Sequence, residues 1–263
     1  MISFAAEQRF IVTGASSGIG EGVSLLLNEL GATVIGIGRD QKRLEGMKAK
    51  ARHPENVFLE KRDLSEDIPG LPAYVRSLKD KYGRFQGLAY CAGRGGVAPL
   101  RAVGYESMQA MFAVNYFAPV FMAKGFADSR VNVGNGAAMV AVASIGGIVA
   151  EKGQVAYAGT KAGLVASFKS IARELTGQGI RVNCVSPGMV DTPMAAASGE
   201  EYLEQARARY PWGLATAADI ADMIVFLLSP RAKWISGQSS RARTREGRRR
   251  YAKCLDICYN THR

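Results

Sequence analysis

The sequence predicts an α/β fold, in which one doubly wound parallel sheet carries helices on both faces. Short apolar runs rich in β-branched residues alternate with longer amphipathic segments along residues 9–237. A glycine-rich run directly follows the first apolar run. Strands that alternate with long helices form right-handed βαβ units, and such units build a parallel sheet. No Pro/Ser-rich linker interrupts the alternation, so we predict a single domain over residues 1–238.

Each predicted strand is an apolar run too short to form a helix, and each predicted helix repeats its apolar residues every three or four positions. The fifth apolar run is uninterrupted, which is typical of a strand covered on both faces. The predicted strands span residues 10–13, 32–37, 57–60, 87–91, 138–143 and 180–186. The predicted helices run from the glycine turn to about 30, then over 41–51, 71–82, 108–127, 155–175 and 217–228. Residues 193–212 show no regular pattern, and we predict an irregular loop that covers a ligand site.

Composition excludes several other classes of protein. With 48% hydrophobic residues the chain is too apolar to be disordered, and four cysteines in 263 residues do not make a disulfide framework. No apolar run reaches the ~18 residues that a membrane-spanning helix needs, and the first nine residues show no secretory signal. We therefore expect a cytoplasmic protein without a membrane partner.

The net charge of +11 is concentrated at one end of the sequence. Residues 241–263 carry eight Lys or Arg side chains and two acidic ones. A basic arm could bind nucleic acid, but this one lacks interleaved aromatic residues before Tyr251, and we favour a merely solvated segment. Cys254, Cys258 and His262 lie four residues apart without a fourth ligand nearby, so we predict no metal site.

The glycine-rich run at residues 13–20, TGASSGIG, joins the first strand to the first helix. Glycines at such a junction allow a tight turn and let a pyrophosphate approach the free N–H groups of a helix N-terminus. The position of the run makes it a dinucleotide-binding signal, although its spacing is G-x3-G-x-G. The candidate cofactor-binding residues of this turn are Gly14, Ser16, Ser17, Gly18, Ile19 and Gly20.

The same letters admit a second interpretation. Residues 14–18 also read G-x-S-x-G, the nucleophile elbow of α/β-hydrolases, in which Ser16 would attack the substrate. Such a serine needs a histidine base, and the chain offers only His53 and His262. A serine hydrolase is therefore the less favoured alternative.

Four polar residues farther along the chain complete a pattern. Ser144 follows the fifth strand, Tyr157 and Lys161 begin a long helix, and Asn115 lies on the preceding helix. With the glycine turn, this order resembles the short-chain dehydrogenase/reductase family, and is similar to its 3-oxoacyl-ACP reductase-like members, over roughly residues 9–237. The resemblance implies a Rossmann-like fold and an oxidoreductase that interconverts a ketone or aldehyde carbonyl and a secondary alcohol by hydride transfer.

Each residue of this set has a chemical reason to be there. Tyr157 and Lys161 share a helix face, so we expect the ammonium to lower the phenol pKa. Tyr157 would act as general acid/base, and Ser144 would hydrogen-bond the carbonyl oxygen. The resemblance implies that Lys161 binds the nicotinamide ribose and that Asn115 anchors a proton-relay water. A cofactor-binding protein with lost or reduced turnover is the alternative within this fold.

The cofactor prediction rests on the end of the second strand. Arg39 stands where an acidic residue would select NAD, and a guanidinium suits the 2′-phosphate of NADP. We therefore predict NADP(H), with NAD(H) as the alternative because Asp40 is adjacent. The resemblance adds further candidate cofactor contacts, which are Asp63, Leu64, Ala92, Gly93, Tyr157, Lys161, Pro187, Gly188, Val190 and Thr192.

The sequence departs from the family pattern at two places. The usual Asn-Ala-Gly after the fourth strand is replaced by Cys91-Ala92-Gly93, and we expect some loss of rigidity. Residues 239–263 lack the apolar pattern of a seventh strand, so we predict a basic tail there and attribute it to a reading-frame shift near Ser239. The family forms homodimers or homotetramers, and we expect the same here although the altered end bears on those contacts.

Overall fold

The computed structural model describes residues 2–197, 199–210 and 212–242. Within them, seven parallel strands form one sheet in the order β3-β2-β1-β4-β5-β6-β7. The strand order reverses direction between β1 and β4, and ligands of open α/β sheets bind at the carboxyl ends of strands beside such a switch point. The α/β prediction is confirmed.

The first six strands match the predicted runs to within one or two residues. Five of these runs are almost entirely buried, and the third is partly exposed. The strand bounds are β1 Arg9–Thr13, β2 Thr33–Gly38, β3 Val57–Lys61, β4 Gly87–Tyr90, β5 Ala138–Val142, β6 Arg181–Pro187 and β7 Ser239–Ala242.

Every segment predicted to be helical is helical in the structure, but the single helix predicted over 108–127 is divided into two α-helices by a π-helical turn. The α-helices of the described chain have the bounds α1 Gly18–Glu29, α2 Gln41–Ala49, α3 Leu71–Tyr82, α4 Tyr105–Phe112, α5 Ala118–Phe126, α6 Val155–Leu175, α7 Pro193–Ala196, α8 Glu200–Arg209 and α9 Ala217–Leu228. A π-helical turn, Ala113–Phe117, joins α4 to α5.

The prediction of an irregular loop over residues 193–212 was wrong, because α7 and α8 lie there. Thr192 caps α7, with its hydroxyl accepting from the Ala195 N–H, and Pro193 occupies the first helical position. The sequence of α8, EEYLEQARAR, consists largely of good helix formers. Its few apolar residues hid the helical period.

Two apolar cores cover the two faces of the sheet. On one face, α3, α5 and α6 pack on the strands through residues such as Val75, Phe126 and Phe168. On the other face, α1, α2 and α9 pack through residues such as Leu27 and Ile224. Helices on both faces make the sheet a buried scaffold, so the carboxyl ends of its strands are available for a site.

The prediction of no strand pattern after Gln238 was also wrong. Ser239–Ala242 forms β7, which pairs in parallel with β6 from Cys184 to Pro187. Strand pairing uses main-chain groups, and β7 is an edge strand, where the exposed Arg241 side chain reaches solvent. The sheet therefore extends four residues beyond the predicted domain boundary. The rest of the basic tail, including the Cys254, Cys258 and His262 set, lies outside the described residues.

None of the helices among the described residues is both long and apolar enough to cross a membrane.

Candidate active site

The glycine turn after β1 is held by close backbone contacts. Gly14 and Gly18 have φ of 66° and 57°, in the left-handed region that favours glycine. A side chain at Gly20 would overlap the Gly14 carbonyl oxygen, and one at Gly14 would lie 2.9 Å from the Ala92 backbone. The turn thus leaves a cradle at the N-terminus of α1 that only glycine permits, which suits a pyrophosphate.

Thr13 ties this turn to the end of β4. Its buried hydroxyl oxygen accepts hydrogen bonds from the N–H groups of Cys91 and Ala92, at 3.0 and 3.1 Å. Burial raises the pKa of the Cys91 thiol to about 12, so Cys91 is not a reactive thiolate at neutral pH. The tie holds the end of β4 against the glycine turn.

Ser144 and Tyr157 lie together at the carboxyl end of β5. The Ser144 oxygen accepts from the Gly146 N–H at 3.0 Å. A side chain at Gly146 would meet both the Ser144 hydroxyl and the Tyr157 ring, at 3.3 and 3.6 Å, so the two side chains are close neighbours. Tyr157 is in the first turn of α6, which brings its phenol over the loop that follows β5. The two hydroxyls are therefore placed to share one acceptor.

Lys161 lies one helical turn further along α6. Only 4% of Lys161 is exposed, and its ammonium donates to the Val142 carbonyl at 2.8 Å. The Lys161 nitrogen is 5.8 Å from the centre of the Tyr157 ring, so both side chains point to the same end of the sheet.

The expected lowering of the Tyr157 pKa was wrong. Burial raises the pKa of the phenol, and the hydrogen bond with Ser144 offsets only part of that rise. Burial also lowers the pKa of Lys161 to about 8, although the nearby thiols of Cys184 and Cys91 act in the opposite direction. Spacing along a helix predicts proximity, but it does not report how strongly burial disfavours each charge.

Asn115 lies in the π-helical turn and is fully buried. Its side-chain oxygen accepts from the Arg94 N–H at 2.8 Å, and its amide donates to the Arg94 carbonyl at 2.9 Å and to the Thr160 hydroxyl at 3.3 Å. Asn115 thereby joins the loop after β4 to α6, next to Lys161. π-Helical turns are frequent at functional sites.

The carboxyl ends of β2 and β3 carry the residues predicted to contact the adenosine half of the cofactor. Arg39 is 77% exposed, and its guanidinium pairs with the Asp63 carboxylate at 3.5 Å. Burial raises the Asp63 pKa, but hydrogen bonds from Ser65 and the charge of Arg39 outweigh it, so the pKa is lowered. Asp40 is turned away, because its carboxylate caps α2 through the Arg43 N–H. Both Arg39 and Asp63 line a cavity of about 460 Å³.

The remaining candidates lie around the same edge. Leu64 is buried beside Asp63, and Gly93 adjoins both Asn115 and Lys161. Pro187 ends β6, and the Gly188 N–H donates to the Ala242 carbonyl at 3.0 Å. The Thr192 methyl group lies against Gly18, because a side chain at Gly18 would meet it at 3.2 Å. Segment 187–192 thus closes over the glycine turn.

Comparisons with known proteins agree with this arrangement. A family model described as enoyl-(acyl carrier protein) reductase matches residues 14–241. The 3-oxoacyl-[acyl-carrier-protein] reductase FabG of Thermotoga maritima is 33% identical over 236 residues, which cover 87% of this chain and 93% of that protein. The chain belongs to the short-chain dehydrogenase/reductase family. It is accordingly an NAD(P)-dependent oxidoreductase.

Two further relatives illustrate what this family contains. The (3R)-3-hydroxyacyl-CoA dehydrogenase of Rattus norvegicus is 30% identical over 238 residues, which cover 87% of this chain and 92% of that protein. A short-chain dehydrogenase from Burkholderia cenocepacia, solved in complex with NADP, aligns with a TM-score of 0.82 and 26% identity. That alignment covers 90% of this chain and 96% of the other.

The serine hydrolase interpretation finds no support in the structure or among these relatives of the short-chain dehydrogenase/reductase family. The described residues contain one histidine, His53, whose backbone exchanges hydrogen bonds with the Asn28 side chain. Asn28 lies near the C-terminus of α1, about 15 Å along the helix axis from the turn that holds Ser16. His53 is thus at the wrong end of α1 to act as its base.

Sequence reasoning missed three residues that shape this short-chain dehydrogenase/reductase site. Thr13 and Thr160 adjoin named motifs, so their position next to the glycine run and next to Lys161 was the available signal. Thr160 is fully buried and donates to the Tyr157 carbonyl at 2.7 Å. Tyr210, which follows α8, contacts segment 187–192; the sequence indicated only that it lies within residues 193–212, which were predicted to cover a ligand site.

Proposed function

We propose that this enzyme reduces a ketone or aldehyde carbonyl to a secondary alcohol with NADPH, with Tyr157 as the proton donor. The observation that carries the proposal is that the Ser144 hydroxyl and the Tyr157 ring lie against the same glycine, Gly146, beside the buried Lys161 at the carboxyl edge of the sheet. A nicotinamide cofactor supplies the hydride when bound. The glycine turn suits such a group, because side chains at Gly14 or Gly20 would overlap the backbone of Ala92 or Gly14, and a turn this tight lets a pyrophosphate approach the N-terminus of α1.

The proton chemistry follows from burial. The Tyr157 phenol is protonated at neutral pH, as a donor to a developing alkoxide must be, although its raised pKa makes it a weaker acid. The Ser144 hydroxyl would hydrogen-bond the same oxygen and stabilise its charge. Below pH 8, the Lys161 ammonium would favour the phenolate that remains after Tyr157 gives up its proton. Asn115 would hold the neighbouring backbone and a relay water in place.

For the cofactor we propose NADP(H) over NAD(H). Arg39 is the exposed cation at the end of β2, and Asp40 is engaged in capping α2 rather than facing the ribose. A planar guanidinium matches a 2′-phosphate well. The relative from Burkholderia cenocepacia, whose structure contains NADP, supports the same choice.

For the substrate we propose a 3-oxoacyl thioester as the first class to test. Two relatives are named for such compounds or their reduced products, one on an acyl carrier protein and one on CoA. The fold alone does not select among ketones. We further propose that the enzyme is a cytoplasmic homodimer or homotetramer, which light scattering on the purified chain would test.

The decisive experiment compares wild type with Tyr157→Phe. NADPH oxidation is followed at saturating acetoacetyl-CoA, and NADPH affinity is measured by nicotinamide fluorescence. We expect turnover to fall at least about 10²-fold while NADPH affinity is unchanged, because only the transferable proton is lost. Tyr105→Phe, which alters an exposed tyrosine on α4, is the matched control.

Each alternative gives a different result in that comparison. A cofactor-binding protein without turnover would bind NADPH but show no oxidation with any carbonyl, in wild type and variant alike. Equal turnover in wild type and Tyr157→Phe would exclude Tyr157 as the acid/base. A hydrolase would cleave the thioester without consuming NADPH.

A further inference from the structure

Tyr210 connects the end of α8 to the segment that follows β6. Its phenol oxygen accepts a hydrogen bond from the Met189 N–H, with an N···O distance of 3.2 Å. Met189 lies two residues after Pro187, within segment 187–192, which holds four of the candidate cofactor contacts and which the family resemblance places at the nicotinamide end of the cofactor. Tyr210 belongs to no motif of the sequence and plays no part in the proton chemistry proposed above.

The chain that follows Tyr210 holds the same stretch a second time. The Ala215 N–H donates to the Met189 carbonyl at 3.3 Å, and the Asp191 N–H donates to the Ala215 carbonyl at 2.8 Å. Val190 and Ala215 thereby form an isolated parallel bridge. Both polar backbone groups of Met189 are consequently engaged, one by Tyr210 and one by Ala215.

Because both backbone groups of Met189 are engaged, a ligand at this segment would have to bind its neighbours. Among the hydrogen bonds of the described residues, none uses the Val190 N–H. The Val190 carbonyl accepts from the Thr192 hydroxyl at 3.3 Å. A carboxamide has one carbonyl acceptor and one NH₂ donor. The Val190 N–H and the Thr192 hydroxyl oxygen are therefore one matching donor and acceptor pair in this stretch.

We propose that Tyr210 is a positioning residue for the nicotinamide end of the site. Tyr210 fixes the peptide on the N-terminal side of Met189, and Ala215 fixes the next peptide, which carries the Val190 N–H. Together the two contacts set both backbone torsions of Met189 and aim the Val190 N–H. The inference rests on the proposed function, because it assumes that a nicotinamide cofactor binds here.

The test uses two ligands that share the adenosine half and differ in the nicotinamide half. Kd is measured for NADPH by fluorescence and for 2′,5′-ADP by calorimetry, with wild type, Tyr210→Phe and the control Tyr105→Phe. Removing one neutral hydrogen bond worth about 1 kcal/mol should weaken NADPH binding about fivefold in Tyr210→Phe. Binding of 2′,5′-ADP should not change, because that ligand does not reach Val190.

Other outcomes overturn the inference in distinguishable ways. Unchanged affinity for both ligands would show that the Tyr210 hydroxyl does not position the segment. An equal rise in Kd for both ligands would show that Tyr210 stabilises the whole site and does not position its nicotinamide end. If wild type binds 2′,5′-ADP but not NADPH, the nicotinamide assignment fails, and if it binds neither ligand, the proposed function fails as well.

Discussion

Lys161 combines a buried ammonium with a place beside the candidate proton donor. It is 4% exposed, and its one hydrogen bond to protein among the described contacts goes to a backbone carbonyl, not to a carboxylate. Burial therefore lowers its pKa to about 8 without a compensating ion pair. A lysine of this kind changes charge close to the working pH of an enzyme.

This pKa predicts the pH dependence of carbonyl reduction. The ammonium is present below the folded-state pKa of about 8 and is lost above it. We expect kcat/KM for reduction to be level below pH 8 and to fall tenfold per pH unit well above it, because kcat/KM reports groups of the free enzyme. A profile that stays level to pH 10 would contradict a role for the Lys161 charge.

Arg39 permits a second test at the scale of one residue. Replacing Arg39 with Gln should weaken NADPH binding about tenfold, which corresponds to about 1.4 kcal/mol. NADH binding should not change, because only NADPH carries the 2′-phosphate. Arg43→Gln is the matched control, since Arg43 is also exposed and pairs with Asp40. Kd values for both cofactors check the prediction, and equal effects of the two substitutions would refute it.

At the scale of elements, the β1–α1 junction depends on close backbone packing. Gly20 is in the first turn of α1, where alanine would normally favour the helix. At this position an added methyl group would overlap the Gly14 carbonyl. Glycine at position 20 therefore lowers the helix propensity of α1 but permits a tight turn. A phosphate-binding cradle needs such a turn.

Gly20→Ala should accordingly destabilise the protein by about 1–3 kcal/mol and weaken NADPH binding, because the Gly14 peptide must move. Gly46→Ala provides the opposite control. Gly46 lies inside α2, and an added methyl group there meets nothing within 4 Å. That substitution should stabilise the protein by about 0.5–1 kcal/mol. Denaturant titration measures the free energy of unfolding, which should fall in Gly20→Ala and rise in Gly46→Ala.

At the scale of the whole molecule, β7 links the edge of the sheet to the site. The Gly188 N–H is held by the Ala242 carbonyl, and the hydroxyls of Ser186 and Ser239 are 2.8 Å apart. We expect a chain shortened to residues 1–242 to bind NADPH as the full chain does. A chain of residues 1–238 should bind NADPH at least about fivefold more weakly, because β6 then loses its partner strand.

Fluorescence titration of the three chains checks this prediction, and melting temperatures show whether the shorter chain is folded. Equal NADPH affinity in all three chains would show that β7 does not contribute to the binding site. Weaker binding by residues 1–242 would instead assign a role to the basic segment that follows Ala242.

The strands and long helices were predictable from their apolar patterns. A strand covered on both faces, such as β5, is a continuous apolar run, and a helix with one buried face, such as α9, repeats its apolar residues every three or four positions. β7 was not predictable, because its pairing depends on main-chain groups that any residue supplies. The same limit applies within the site. The order of Ser144, Tyr157 and Lys161 indicated proximity, but the directions of their pKa shifts depend on burial, which a linear spacing does not contain. The contact between Arg39 and Asp63, 24 residues apart, required the paired strands themselves.

The bond between Gly188 and Ala242 also has a consequence for biosynthesis. A ribosome releases the chain from its N-terminus, so the glycine cradle and the hydroxyl pair emerge well before β7. Segment 187–192 gains its last backbone partner only when residue 242 has left the ribosome. A nascent chain can fold most of its sheet early and still acquire a complete binding site only after residue 242 has emerged.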